Sequence, residues 1–136
     1  MNRIKAKTLY IFFGFTGLQI ALYAEGPIQE NREQQKRALH LYEDELIVVE
    51  RVISLLEMQQ RDQRKLKILI RELCHNQELF MKGDQTKYHA QMMLKAARES
   101  LSIIEKYHLN HLFSSEFLEE LAVLCQIGNS LEILYD

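Results

Sequence analysis

Two pairs of residues have the spacing of a metal-ligating helix face: Glu72 and His75 in ELCH, and Glu105 and His108 in EKYH. Three positions apart on a helix, a carboxylate and an imidazole project from one side. Doubled in a four-helix bundle, with a glutamate from each remaining helix, such pairs build a di-iron carboxylate site. The chain's own spacing works against this. Gly83 is the natural turn between the two pairs, with His75 lying 8 residues before it and His108 lying 25 after it. In an antiparallel hairpin that mismatch separates them by about 25 Å along the axis, so the pairs do not meet.

The remaining chemical constellations are smaller. Glu105, His108 and His111 offer three zinc-type ligands at a helix end without a fourth. His40 with Glu43 and Asp44 is similar, and both sets read first as surface clusters. Covalent haem attachment needs C-x-x-C-H, which is absent. Haem held by a methionine and a histidine would draw on His108 with Met92, Met93, Met58 or Met81, residue types that usually fill a core. No G-x-S-x-G, P-loop or glycine-rich turn occurs. Cys74 stands beside His75, but consecutive helical residues point about 100° apart. The expectation is a protein that is not an enzyme and carries no cofactor or metal.

Cys74 and Cys125 are the two cysteines. In an exported protein they are a candidate disulfide; in a reducing compartment they are buried thiols.

The elements that position these residues are helical. Leu39, Tyr42, Leu46, Val49, Ile53 and Leu56 recur at steps of three and four, a seam of the coiled-coil kind. Ile47, Val48, Val52 and Leu55 widen it. The run LIVVERVISLL is rich in β-branched residues, but the sustained seam and its charged flanks favour a helix. Gln59 to Lys65 is wholly polar and reads as a projecting helical turn or a corner. Leu66, Leu69, Ile70, Leu73 and Phe80 continue the apolar pattern to Gly83, where a helix ends, and Asp84 can cap the next. A third stripe runs through Ala90, Leu94, Ala97, Leu101, Ile104 and His108, its alanines admitting a close neighbour. Ser114 or Ser115 caps a fourth helix with Phe117, Leu121, Leu124 and Leu131 on its stripe, and Gly128-Asn129 reads as a break near its end. The fold expected is all-α: an antiparallel helical bundle or long helical hairpin of about four helices, the first one long, following an N-terminal apolar segment.

That segment decides the compartment. Arg3, Lys5 and Lys7 precede 17 uncharged residues, Thr8 to Ala24. A basic head, an apolar middle and a small terminal residue make a signal-peptide pattern, with the cut between Ala24 and Glu25, although Leu22 is larger than the pattern prefers. Residues 8–24 span about 25 Å as a helix, enough for a short retained anchor as the alternative. The basic head places the body outside. Residues 1–24 are thus read as signal peptide or uncleaved anchor, and 25–136 as one helical domain, periplasmic or secreted.

The whole chain has a formal net charge of −2. Setting aside Arg3, Lys5 and Lys7 leaves 14 Lys+Arg against 19 Asp+Glu, an acidic body that does not bind nucleic acid. Arg61, Arg64, Lys65, Lys67 and Arg71 form a local basic run, read as a solvated helix face.

The functional expectation follows from the first seam. Leu39, Tyr42, Leu46, Val48, Val49, Val52, Ile53, Leu55 and Leu56 form an apolar face broad enough to bind a partner. The reading is a small exported helical protein acting through protein–protein contacts, with a protein partner or by self-association. It would serve as an adaptor, an envelope-assembly subunit or a chaperone-like binder, touching membrane only if the N-terminal segment is retained. A metal- or haem-binding bundle and a cytoplasmic helical secretion chaperone are the alternatives.

Overall fold

The computed structural model describes residues 32–83 and 85–135, with side chains through residue 130. The N-terminal apolar segment, the junction between Ala24 and Glu25, and the Asp84 cap lie outside the described residues. Four α-helices follow one another: α1 (Arg32–Val52), α2 (Gln60–Met81), α3 (Thr86–Lys106) and α4 (Ser115–Tyr135). Short 3-10 turns stand at Ile53–Leu55 and Asn110–Leu112, and no strand occurs among the described residues. The fold is an all-α helical bundle.

The β-branched run of α1 is helical because its seam has somewhere to go. Tyr42, Val49 and Ile53 are buried against the other helices. The corner comes before Gln59: α1 stops at Val52, tightens into the 3-10 turn and bends through Leu56 to Met58. Gln63 holds that corner by donating its Nε2 hydrogens to the carbonyls of Leu56 (3.1 Å) and Met58 (3.4 Å). α1 therefore has 21 described residues, as many as α3 and α4.

Gly83 ends the second helix in the left-handed region, φ +83°, where a side chain would be strained. Gln85, directly before α3, is left-handed as well. Beyond this turn α2 and α3 make the most extensive contact of the bundle. Ala90, Ala96 and Ala97 of α3 are buried in the bundle, small side chains that admit close neighbours. Asn76 with His89, Lys65 with Glu99, and Asp62 with Lys106 tie α2 and α3 together in antiparallel register. α3 stops at Lys106, where Tyr107 donates a hydrogen bond to the Asp62 carboxylate.

Ser114 caps α4, its Oγ accepting the Phe117 amide hydrogen at 3.2 Å. α4 runs on through Gly128-Asn129 rather than breaking there. A Cβ at Gly128 would lie 3.3 Å from Arg98 Nη2, so the glycine makes room for the Arg98 side chain, which donates to Asn129 Oδ1 at 3.2 Å.

The core lies among all four helices, with Tyr42, Leu66, Ile70, Leu73, Phe80, Met93, Ile104, Phe117, Leu121 and Leu124 fully buried. α1 packs on α2, α3 on α4, and the direct contact of α1 with α4 is narrow. No described helix is long and apolar enough to cross a membrane.

Candidate functional site

Packing one face of α2 against α1 leaves another face outside. Arg61, Lys65, Ile68, Glu72, His75 and Leu79 recur every three or four residues and, with Arg64, form one wall of an open groove. Tyr88, His89, Met92, Lys95 and Glu99 of α3 form the other, and the groove encloses about 870 Å³. Its floor is mostly apolar, with Leu69 buried and Leu79 and Met92 half-buried, beside the buried Asn76. Ile68 and Tyr88 are 51 % and 52 % exposed, so each wall presents a large apolar side chain to solvent.

The groove is charged unevenly. Arg61, Arg64 and Lys65 cluster toward the first turns of α2, Glu99 stands across from Lys65, and Lys95 lies farther along the α3 wall, level with Ile68 to Glu72. Only Lys65 among these four cations makes an ion pair among the described residues, to Glu99 at 3.8 Å. Toward the Gly83 turn the groove carries His75, His89 and Tyr88. Asn76 Nδ2 donates to the Glu72 carbonyl (2.8 Å), which turns its Oδ1 toward His89 Nδ1 at 3.0 Å. His89 Nδ1–H is therefore the donor. Tyr88 meets the His89 ring edge-to-face, at 5.2 Å between centroids.

A second polar group lies inside the bundle, between α1 and α4. Tyr42 donates its hydroxyl hydrogen to Glu120 Oε1 at 3.1 Å, and its ring meets Phe117 edge-on. Glu120 is 4 % exposed. Burial pushes its carboxyl up to about 7, with Glu116 adding to the shift and the Tyr42 hydrogen bond opposing it. Glu45, also buried, accepts the Ser114 amide hydrogen at Oε1, while its Oε2 has no hydrogen-bond partner among the described residues. Its carboxyl is raised by burial, against the lowering effect of Ser114. At the rim of this seam Arg37 pairs with Glu116 at 2.9 Å.

Comparison with protein-family models, curated proteins and solved structures finds no match. The geometry of the chain itself is what bears on function.

The bundle buries part of the partner face expected on the first helix, and Ile47 of α1 stays 49 % exposed. Tyr42, Val49 and Ile53 are buried, and Leu39, Leu46, Val48, Val52 and Leu56 are half-buried. Leu55 is exposed as well, at 80 %, in the 3-10 turn. Among the described residues no three His, Cys, Asp or Glu side chains come together to hold a metal. Glu105, His108 and His111 thus do not converge: α3 ends at Lys106 and His108 leaves it with φ 55°, which turns the chain off the helix face. Glu72 and His75 lie on the groove walls, away from Glu105 and His108 at the other end of α3.

The candidate disulfide is not formed, and Cys74 and Cys125 are free thiols. Cys74 faces α1, with Tyr42, Glu43 and Glu50 in its surroundings, whereas Cys125 faces α3, near Arg98 and Glu105. The two helices bear them toward different neighbours.

The basic run is divided by the fold. Arg71 turns to α1 and pairs with Glu50 at 2.9 Å, while Arg61, Arg64 and Lys65 line the groove. Ile68, Tyr88 and Lys95 were not singled out by sequence reasoning, and Met92 entered it only as a haem-ligand candidate. The available signal was a second row on α2, Arg61-Lys65-Ile68-Glu72-His75-Leu79, offset from the core row.

Proposed function

We propose that the protein acts by contact rather than catalysis, its α2–α3 groove seating a segment of a partner protein. The roles that fit are adaptor, assembly subunit or chaperone-like binder. The observation that carries this reading is the pair Ile68 and Tyr88, half-exposed on opposite walls above an apolar floor. Large apolar side chains exposed on both walls of an open channel, here offset by about 13 Å along the helix axes, favour a bound apolar surface, because burying them removes that area from water. The N-terminal sequence supports export of the body, by cleavage between Ala24 and Glu25 or with retention through residues 8–24.

A photo-crosslinking side chain placed in turn at Ile68, Tyr88 and Leu55 of the full chain in its host tests the contact site. Adducts to the same partner from Ile68 and Tyr88, and none from the more exposed Leu55, are expected. Adducts from Leu55 alone would move the contact to the end of α1, and none from any position would remove the contact reading. Intact mass of the soluble and membrane fractions tests export. A soluble species beginning at Glu25 supports a cleaved signal, and a full-length species in the membrane supports an anchor. A full-length soluble species removes the export argument.

A further inference from the structure

Resting on that contact reading, we propose that the occupant of the α2–α3 groove is an acidic amphipathic helix of a partner protein.

The shape sets the form of the occupant. The α2 wall runs from Arg61 to Leu79, about 27 Å at helical rise. Two antiparallel helices side by side leave a trough along their junction, and the element that packs ridges into such a trough is a third helix. A helix of about 18 residues, five turns, spans the α2 wall, of which α3 flanks about 17 Å from Tyr88 to Glu99.

The charge sets its sign. Arg61, Arg64, Lys65 and Lys95 line the groove against Glu72 and Glu99, an excess of cations in a chain whose net charge is −2. Arg61, Arg64 and Lys95 make no ion pair among the described residues. A partner carrying carboxylates opposite them gains from both long-range steering and local pairing. The apolar floor sets its pattern: Ile68 and Leu69 midway, and Leu79, Tyr88 and Met92 toward the Gly83 turn. The matching helix carries an apolar row at steps of three and four. Asp and Glu flank that row, concentrated in the half that lies against Arg61, Arg64 and Lys65.

The same details disfavour a phosphate polymer. Nucleic acid needs cations along its track, whereas Glu72 interrupts this one midway and the far half, with His75, Asn76, Leu79, Tyr88, His89 and Met92, holds no Lys or Arg. A flat anionic membrane would meet the rims of a concave channel and leave its floor uncovered.

The test uses the chain as isolated from its host and three labelled 18-residue helical peptides read by fluorescence anisotropy. One carries an apolar row flanked by Glu, one the same row flanked by Lys, and one the Glu composition with the row scrambled. The Glu-flanked peptide is expected to bind tightest. Arg64→Glu with Lys95→Glu is expected to weaken it by about tenfold or more and to strengthen the Lys-flanked peptide. Arg64→Gln with Lys95→Gln should give an intermediate loss, and circular dichroism checks that each variant keeps its helices. Ile68→Asp should weaken the Glu-flanked peptide while leaving the helices intact. Equal affinity for the Glu- and Lys-flanked peptides would overturn the proposal, as would tighter binding to phosphatidylglycerol vesicles or to an oligonucleotide. Concentration-dependent dimerisation abolished by Ile68→Asp would overturn it in favour of a second copy. Crosslinks from Ile68 to a partner, without any acidic preference, sink this proposal and leave the contact reading standing. Absence of crosslinks sinks the contact reading itself.

Discussion

Burial sets the chemistry of Glu120. Its carboxyl titrates at about 7 in the folded chain against an ordinary 4.5, because ionising it places a charge inside the bundle. The folded state therefore holds a proton between these values that the unfolded chain has released. Stability is highest below about pH 4.5 as far as this group is concerned, and falls as pH rises toward and through 7. The difference is about 3 kcal/mol for this group alone, and Glu45, raised by burial, acts with the same sign. Denaturant unfolding at pH 5.5 and pH 8 should show greater stability at the lower pH, with the slope reduced in Glu120→Gln. A Glu120→Gln variant with the parental pH dependence would mean that the carboxyl is not held neutral. Tyr42→Phe removes the donor that favours the ionised form, so the titration should move to higher pH.

Cys74 shows burial acting on a thiol. Its ionisation is pushed up to about 12, first by burial and then by Glu43 and Glu78, so at neutral pH almost no thiolate forms. Cys125 is only half-buried, and the Arg98 guanidinium works against its upward shift. Native-state alkylation at pH 8, followed by mass spectrometry, should label Cys125 first and Cys74 only on unfolding. Equal labelling rates would contradict the buried placement of Cys74.

At the scale of the element, the helix ends are set by a few residues each. Gly83 occupies φ +83° with open space around its Cα. Gly83→Ala thus meets no steric obstacle yet must hold a left-handed backbone, at a cost of about 1–2 kcal/mol. Ser114→Ala leaves the Phe117 amide hydrogen without its acceptor and should cost about 1 kcal/mol. Both losses are read from chemical denaturation midpoints at constant slope. The glycine signal was legible because few residues other than glycine tolerate that conformation. The corner after α1 is not marked in the sequence, because residues 53–59 contain no Gly or Pro and their turn is held by the Gln63 side chain, five and seven residues beyond its acceptors.

At the scale of the molecule, α2 serves two neighbours on different faces. Ile70 is fully buried and Ile68, two residues away, is half-exposed in the groove. Ile70→Ala should cost about 2–5 kcal/mol through the cavity it leaves. Ile68→Asp should change the thermal midpoint little while abolishing partner adducts. A comparable loss of stability from both would mean that Ile68 belongs to the core and that the groove is not a free surface.

The residue pattern alone determined helices, their approximate number and the turn at Gly83, because apolar spacing of three and four and a left-handed glycine are local physics. It also placed Tyr42, Val49, Phe117, Leu121 and Leu124 on inward stripes. Which apolar face stays open was decided only by tertiary packing. Of the α1 seam, the other helices bury Tyr42, Val49 and Ile53 and leave Ile47 and Leu55 exposed. A polar run on α2 became a groove wall once α3 lay beside it. Solvent exposure of Ile68 and burial of Glu120 depend on neighbours far along the chain, and no local spacing encodes them.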